Sequence, residues 1–379
     1  MKPGLQYNTD PAPIEVDEVL TDMSLYRNAT AMRGLLDRIG SLVTRPWRIM
    51  EVCGGQTFTL SRYRLEELLP GGIRMIHGPG CPVCVTPQGT IDSAISLAQR
   101  PDIILCSFGD MLRVPGSDGS LLRAKAAGAD IRLLYSPLEA LKIAAENPEK
   151  EVVFFAIGFE TTMPVYALMV RKALEKGIAN LSLLISLFTV PEVVSTVVGD
   201  PDCRVDALLA AGHVCAVTGL EEYHRLADRL RIPVVVTGFE PVDMLLGILR
   251  AVEMLEAGDH GVTNAYPRVV SPEGAVKARA EVNEVFEPCD TLWRGIGKIP
   301  MSGMKLREKY KHFDARRRFT IQSSSECGGG RCIAYLIMKG LASSSSCPAF
   351  GKDCTPDHPV GAPMVSSEGV CAAHYRYLR

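Results

Sequence analysis

Short apolar runs alternate with helix-like segments along most of the chain, and this alternation constrains the fold more than any other feature. Branched aliphatic residues are frequent in the runs, whereas the segments between them are rich in Ala and Leu. Short strands alternating with helices are typical of parallel sheets covered on both faces, so the sequence predicts an α/β fold. The predicted strands are Trp47–Val52, Ile73–Ile76, Ile103–Cys106, Ile131–Tyr135, Val152–Ile157, Leu181–Leu187, Ala216–Thr218 and Pro233–Thr237. The predicted helices are Ile91–Gln99, Leu138–Glu146, Pro164–Lys176, Leu220–Leu230 and Val242–Ala257.

The strands form two successive groups, which predict two similar parallel-sheet α/β domains at residues 30–147 and 148–260. The segments IGFE, ending at Glu160, and TGFE, ending at Glu240, each place a glycine and a carboxylate after an apolar strand. That edge is where α/β sheets build their sites, although strand–glycine turns also recur by chance. From residue 265 onward the chain is rich in Gly, Ser, Arg and Cys. Such a tail is expected to bury little apolar surface, so a metal cluster would supply its order.

Composition excludes several classes of protein. The 379 residues carry a net charge of −2, which gives no electrostatic reason to expect a nucleic-acid or membrane partner. No apolar stretch approaches the ~20 residues that span a bilayer, and the first residues do not resemble a signal peptide. We therefore expect a cytoplasmic protein, whose cysteines serve as core residues, metal ligands or redox groups rather than as structural disulfides.

Two groups of cysteines near the start of the chain predict chemistry. Cys53 ends an apolar run and precedes two glycines in EVCGGQT, which would leave its thiol unshielded as a metal ligand or nucleophile. Cys81 and Cys84 form a Cys-x-x-Cys pair in HGPGCPVC. That spacing is typical of a redox dithiol, and half a zinc site or a purely structural pair are the alternatives.

Four cysteines in the tail predict a metal site, and they are Cys332, Cys347, Cys354 and Cys371. Four thiolates suit either zinc or a 4Fe–4S cluster, and the spacing does not decide between them. Cys327 is a fifth thiol nearby without an assigned role. Cys106, Cys203, Cys215 and Cys289 stand singly, largely in apolar surroundings, and are predicted to lie in or near the core.

Polar residues near predicted strand ends and in the closing segment are candidates for a supporting role. They are His77, Asp110, Glu160, His213, Glu240 and Glu368. For each histidine a purely structural role is the alternative.

Taken together, these residues resemble the HypD family of NiFe-hydrogenase maturation proteins. The resemblance runs from about residue 25 to Arg379 and rests on eight segments in one order. They are MEVCGGQT, HGPGCPVCVTP, SFGDMLRVPGS, GFETT, VTGFEP, IPMSGMKL, CPAFGKDCTPDHPVGAPMVSSEG and CAAHYRY. Long segments in a fixed order are far more specific than a single Cys-x-x-Cys.

The resemblance implies a redox-active scaffold on which the Fe(CN)2CO group of the hydrogenase is assembled. Its implied partners are the small chaperone HypC, the cyanide donor HypE and, indirectly, the hydrogenase large subunit. It implies that Cys53 holds the iron, that Cys81 and Cys84 are the redox pair, and that the four tail cysteines hold a 4Fe–4S cluster. It also implies a small iron–sulfur domain built from residues 261–379 and the N-terminal segment 1–29. A stand-alone cluster-dependent disulfide reductase and a zinc-stapled interaction protein are the rival functions, and whether the chain turns over as an enzyme stays open.

Overall fold

Two parallel β-sheets and their covering helices dominate the computed structural model, which describes residues 26–321 and 331–378. The predicted α/β class with two parallel sheets is therefore confirmed. Sheet 1 has the strand order β2-β1-β7-β8-β9, sheet 2 has the order β4-β3-β5-β6, and β10 and β11 form an antiparallel hairpin. The strands are β1 Trp47–Glu51, β2 Ile73–His77, β3 Ile103–Ser107, β4 Ile131–Leu133, β5 Glu151–Gly158, β6 Leu181–Leu187, β7 Ala207–Ala211, β8 Pro233–Thr237, β9 Gly261–Asn264, β10 Phe286–Trp293 and β11 Gly297–Leu306.

Helices occupy most of the connections between strands. The α-helices are α1 Ala29–Leu42, α2 Gly54–Arg62, α3 Leu65–Leu68, α4 Pro82–Val85, α5 Gln88–Ala98, α6 Gly109–Arg113, α7 Leu121–Ala126, α8 Glu139–Glu146, α9 Met163–Glu175, α10 Val190–Val198, α11 Gly212–Thr218, α12 Glu221–Leu230, α13 Pro241–Ala257, α14 Val276–Val285, α15 Ala315–Arg318, α16 Ala334–Met338 and α17 Val370–Tyr377. Short 3-10 helices lie at Glu308–Phe313, Ser344–Ser346 and Ala362–Met364. No helix in the described ranges is long and apolar enough to cross a membrane.

Successive side chains of the central strands enter cores on opposite faces of each sheet. In β5, Val152 and Phe154 belong to one apolar cluster, whereas Val153 and Phe155 belong to another, and all four are fully buried. Burial on both faces explains why this strand reads as a continuous apolar run instead of an alternating pattern.

The longest helix shows how local sequence sets helix ends. Glu240 precedes α13 and forms a capping box with Asp243, and Pro241 occupies the first turn, where its missing N–H costs nothing. Gly258 ends the helix in the left-handed region at φ 71°, which glycine adopts without strain. The predicted boundaries of this helix, Val242–Ala257, are therefore nearly those observed.

The sheets group the strands differently from the predicted division. After β2 the chain leaves sheet 1, builds all of sheet 2 with β3 to β6, and returns to sheet 1 with β7, which pairs with β1. A boundary between residues 147 and 148 would pass through sheet 2, because β5 pairs with β3. The predicted grouping of strands is therefore wrong, since a local pattern of strands does not reveal which distant strands will pair.

One predicted strand is also wrong. Ala216–Thr218 belongs to helix α11, and the neighbouring strand is β7, Ala207–Ala211. The observed strand β7 consists only of Ala and Leu, and it has little intrinsic preference for a strand. It becomes one because it fills the fully buried position between β1 and β8.

The region after residue 265 buries more apolar surface than its composition predicts. Phe286, Trp293, Tyr310 and Phe313 are almost completely buried, and Trp293 Nε1 donates a hydrogen bond to Ser302 Oγ at 2.8 Å. Helix α14 packs against α9, and strand β11 packs against β6. The expectation of a poorly packed tail is therefore wrong for the part that covers sheet 2.

Residues 331–378 pack as a small unit beside sheet 1. Its apolar cluster includes Ile337, Met364 and Val370, and helix α17 lies against α2. The predicted contribution of the N-terminal segment to this unit falls largely on residues 1–25, outside the described residues. Of the described remainder, Tyr26 and Arg27 contact the start of α13 instead.

Candidate functional site

Cys53 lies at the carboxyl end of β1 and caps the amino end of helix α2. The turn is tight, because a Cβ at Gly54 would lie 2.5 Å from the Cβ of Glu368, and one at Gly80 would lie 2.4 Å from the backbone nitrogen of Cys53. Only glycine permits such close approach. These two glycines therefore bring the Cys53 segment, the Cys-x-x-Cys loop and the C-terminal region together at one point.

A cavity of about 560 Å³ opens above Cys53 and brings together several of the predicted residues. Cys53, His213, Glu240 and Glu368 all line it, and Phe239 forms part of its wall. The sulfur of Cys53 lies 3.9 Å from Nδ1 and 4.0 Å from Nε2 of His213. The Phe239 ring lies against that imidazole, with 4.9 Å between the ring centroids.

The surroundings of Cys53 favour the neutral forms of its thiol, of His213 and of Glu368. Burial raises the pKa of the Cys53 thiol, and the nearby carboxylates of Glu368 and Glu51 raise it further. Burial lowers the pKa of His213 to about 4. Burial, and secondarily Asp110, raises the pKa of Glu368. At neutral pH the site thus holds a thiol beside a neutral imidazole that can accept its proton.

Cys81 and Cys84 form a buried pair next to this cavity. Cys81 caps the short helix α4, and Gly80 and Pro82 on either side of it line the cavity. Burial raises the pKa of Cys84, and the hydrogen bond with Cys81 and the charges of Cys371 and Glu368 raise it further. The pair is therefore buried beside the Cys53 cavity and within electrostatic range of Cys371 in the tail.

The four tail cysteines lie around a common point. Burial raises the pKa of Cys371, and Cys332, Cys354 and Cys347 each raise it further. The backbone N–H of Val360 donates to Cys354 Sγ at 3.3 Å, and a Cβ at Gly361 would lie 2.2 Å from Cys332 Sγ. The fold thus brings together four thiols that are far apart in sequence. It also packs Gly361 against one of them, the thiol of Cys332.

Four thiolates suit either a zinc ion or a 4Fe–4S cluster, so the tail cysteines could hold either group.

Of the other predicted supporting residues, Glu160 and Asp110 do not line the Cys53 cavity, whereas Glu240 does. Glu160 lines a separate cavity of about 600 Å³, and burial raises its pKa to about 8. Asp110 forms an ion pair with Arg113 at 3.1 Å. It affects the Cys53 cavity through its charge, which raises the pKa of Glu368. Glu240 accepts two hydrogen bonds from Arg27, which lowers its pKa.

The singly placed cysteines mostly follow prediction. Cys106, Cys203 and Cys215 are buried in apolar clusters, whereas Cys289 is half-buried on the hairpin. Cys327 lies outside the described residues.

His77 does not line the Cys53 cavity. It belongs instead to a network of hydrogen-bonded side chains around Glu51, which the sequence did not predict. Glu51 is completely buried; it accepts a hydrogen bond from the Cys53 N–H at 2.8 Å and lies 2.7 Å from His77 Nδ1. His77 also faces Glu66 and His374. Burial alone would lower the pKa of His77, but Glu66 and Glu51 outweigh it and raise the pKa to about 10. The signal available in the sequence was a carboxylate, Glu51, next to the apolar pair Ile49 and Met50 at the end of a strand.

Comparison with known proteins identifies relatives across almost the whole chain. A family model described as "HypD: Hydrogenase formation hypA family" matches residues 30–378. The "Hydrogenase maturation factor HypD" of Rhizobium leguminosarum bv. viciae is 46% identical over 364 residues, covering 93% of this chain and 94% of the relative. The protein of the same description from Rhodobacter capsulatus is 43% identical over 366 residues, covering 93% of this chain and 97% of the relative. The protein of the same description from Escherichia coli (strain K12) is 42% identical over 365 residues, covering 96% of this chain and 97% of the relative.

Proposed function

Because the chain belongs to the HypD family of hydrogenase maturation factors, we propose that it is a redox-active scaffold for the Fe(CN)2CO group of a NiFe hydrogenase. The observation that carries the proposal is the Cys53 thiol, placed in a cavity of about 560 Å³ within 4 Å of His213. Iron with cyanide and CO ligands is a soft-ligand complex, for which thiolate is a suitable anchor. The cavity leaves room for the diatomic ligands and for a ligand from a partner.

Binding of the iron cargo at Cys53 requires removal of the thiol proton, because the thiolate is the metal ligand. Burial opposes loss of that proton to water. His213 is neutral at pH 7 and stands beside the sulfur, so it can accept the proton as the iron–sulfur bond forms. The positive charge on His213 would then be balanced by the thiolate beside it.

Cys81 and Cys84 are proposed as the redox pair. Oxidation of the two thiols to a disulfide releases two electrons and two protons, and reduction takes up the same number. Glu368 interacts with both Cys84 and Cys53, and burial raises the pKa of its carboxyl above the usual range. This arrangement supports electron transfer to or from the pair within a few side chains of the iron-binding thiol.

Cys332, Cys347, Cys354 and Cys371 would hold a 4Fe–4S cluster, which supplies or accepts single electrons when bound. The mutual electrostatic influence of the four thiols and the Val360 N–H directed at Cys354 support this ligand set. The charge interaction between Cys371 and Cys84 supports electron exchange between the proposed cluster and the proposed redox pair. Hydrogen bonds to cluster sulfurs are among the means by which a protein sets the cluster's reduction potential.

The implied partners remain part of the proposal. A HypC-type chaperone would share the iron at Cys53, and a HypE-type donor would deliver cyanide before transfer to the hydrogenase large subunit. We place this work in the cytoplasm, with no nucleic-acid or membrane partner.

The decisive test replaces Cys53 with alanine. The full chain is purified anaerobically with its HypC-type and HypE-type partners, and the infrared bands of iron-bound cyanide and CO are recorded. We expect Cys53→Ala to lose these bands while retaining iron and sulfide at the tail. Cys203→Ala, which removes a buried thiol elsewhere, is the matched control and should keep the bands.

Two outcomes would favour the rival functions. Persistence of the cyanide and CO bands in Cys53→Ala, with disulfide reduction that depends on Cys81 and Cys84, would favour a stand-alone reductase. A colourless chain that holds zinc at the tail would favour an interaction protein without redox chemistry.

A further inference from the structure

Three metal-ligating side chains meet outside the thiol sites described above. Glu66 of α3, His77 at the end of β2 and His374 of α17 each present a ligand atom within 4.8 Å of the other two. His77 is 7% exposed, and the other two side chains are largely buried. Three elements far apart in sequence thus converge on one point, and two of the three residues have no place in the Cys53 chemistry.

Each histidine is held through its Nδ1 atom, and Nε2 of His77 faces Glu66 Oε1 at 3.2 Å. Nδ1 of His77 lies 2.7 Å from Glu51 Oε1, and Nδ1 of His374 lies 2.6 Å from Ser344 Oγ. Glu51 is itself fixed, because its other oxygen accepts the Cys53 N–H at 2.8 Å. Histidines that bind metals usually donate the distal ring N–H to a carboxylate or another oxygen in this way, which fixes the tautomer and the ring direction.

Two of the atoms that face one another, Glu66 Oε1 and His374 Nε2, make no hydrogen bond. Glu66 Oε1 lies 3.2 Å from His77 Nε2 without meeting the geometry of a hydrogen bond. His374 Nε2 is buried and has no hydrogen-bond partner among the described residues. A buried polar atom without a partner costs about 1–3 kcal/mol, so such atoms call for an explanation.

An ion pair alone does not provide that explanation. A protonated His77 between Glu51 and Glu66 accounts for those three residues. It leaves His374 Nε2 buried beside an imidazolium, at 4.9 Å between the ring centroids. A cation bound at the shared point would satisfy all three inward-facing atoms at once.

We propose that Glu66, His77 and His374 form a binding site for one divalent transition-metal ion of the Fe²⁺ to Zn²⁺ series. Two imidazoles and one carboxylate form the donor set of catalytic zinc sites and of non-haem iron(II) sites, and both types leave positions open for water. The site uses nitrogen and oxygen ligands, in contrast to the thiols at Cys53 and in the tail. It does not depend on the proposed function. Glu51 connects it to Cys53, since one oxygen faces His77 and the other accepts the Cys53 N–H.

Cobalt(II) is the probe, because its visible spectrum distinguishes nitrogen and oxygen ligands from thiolates. The full chain, purified anaerobically, is titrated with Co²⁺, and its absorbance and metal content are measured. We expect one Co²⁺ per chain with d–d bands that appear without a thiolate charge-transfer band, in addition to any cobalt bound by thiols. His374→Ala and Glu66→Gln should each weaken this binding at least about 100-fold, and Ser344→Ala about tenfold.

The control removes a histidine that has no role in the site. His224 is exposed on helix α12, so His224→Ala should bind Co²⁺ as the unaltered chain does. Competition with Zn²⁺ and, under anaerobic conditions, with Fe²⁺ then shows which ion displaces the probe. Unchanged affinity in both His374→Ala and Glu66→Gln, or cobalt bound with thiolate bands only, would overturn the proposal. Circular dichroism spectra of the variants exclude unfolding as the cause of a loss.

Discussion

Glu160 provides a quantitative test of how burial controls charge in this fold. Its side chain is 6% exposed and follows β5; one oxygen accepts the Val190 N–H at 2.7 Å, and the other has no hydrogen-bond partner within the described ranges. Burial raises the pKa of Glu160 to about 8, against an ordinary value of about 4.3. We therefore expect Glu160→Gln to change the pH dependence of stability.

The direction and size of the effect follow from proton linkage. The folded chain binds the Glu160 proton more tightly than the unfolded chain, so the associated stability is fully present below about pH 4.3 and is lost as pH rises through about 8. Between pH 5.5 and 8.0 this carboxyl alone should lower the free energy of unfolding by about 3 kcal/mol. Glutamine has the same shape, keeps an acceptor for Val190 and carries no charge, so this loss should disappear.

The assay is urea-induced unfolding of both chains at pH 5.5 and 8.0, followed by circular dichroism. Relative to the unaltered chain, Glu160→Gln should gain about 3 kcal/mol of stability between the lower and the higher pH. Glu221→Gln is the control, because Glu221 lines the same cavity but is exposed. The reasoning is refuted if Glu160→Gln and the unaltered chain lose stability in parallel as pH rises.

Two further substitutions test the proposed metal chemistry. Gly361→Ala would place a Cβ 2.2 Å from the sulfur of Cys332, so the anaerobically purified variant should contain less iron and acid-labile sulfide per chain; Gly34→Ala, whose Cβ meets nothing within 4 Å, should contain as much as the unaltered chain. His213→Gln should slow iodoacetamide alkylation of Cys53 about 100-fold at pH 7, measured by peptide mass spectrometry, since the neighbouring proton acceptor is gone. An unchanged alkylation rate would remove His213 from the proposed proton transfer.

The candidate site was partly predictable because its residues follow strands. Cys53 and His213 follow β1 and β7, and the carboxyl ends of parallel strands meet at one edge of a sheet. Glu160 also follows a strand, β5 of sheet 2, and its own side chain lines a different cavity. Its neighbours Phe159, Thr161 and Thr162 line the Cys53 cavity, as Phe239 and Glu240 do, so the two similar segments contribute to one site although Glu160 itself does not.

The residues that sequence reasoning missed depend on contacts between distant elements. Glu66 lies in a four-residue helix and His374 in the last helix, and neither occupies a position that a local pattern would single out. Their neighbour His77 was a candidate because it stands close to the Cys-x-x-Cys pair. Its actual partners come from three other parts of the chain.

The amino-acid sequence by itself determined the α/β class, most of the strands and helices, and the three groups of thiols. Those features depend on periodicity, capping residues and spacing, which are local properties of the chain. Only the tertiary structure decided that β7 returns to β1, and that Cys84 and the other three tail cysteines come within electrostatic range of Cys371. The physical reason is that strand pairing and packing depend on how the whole chain buries its side chains. Residues far apart in sequence compete for the same buried neighbours, and local patterns do not show which of them succeed.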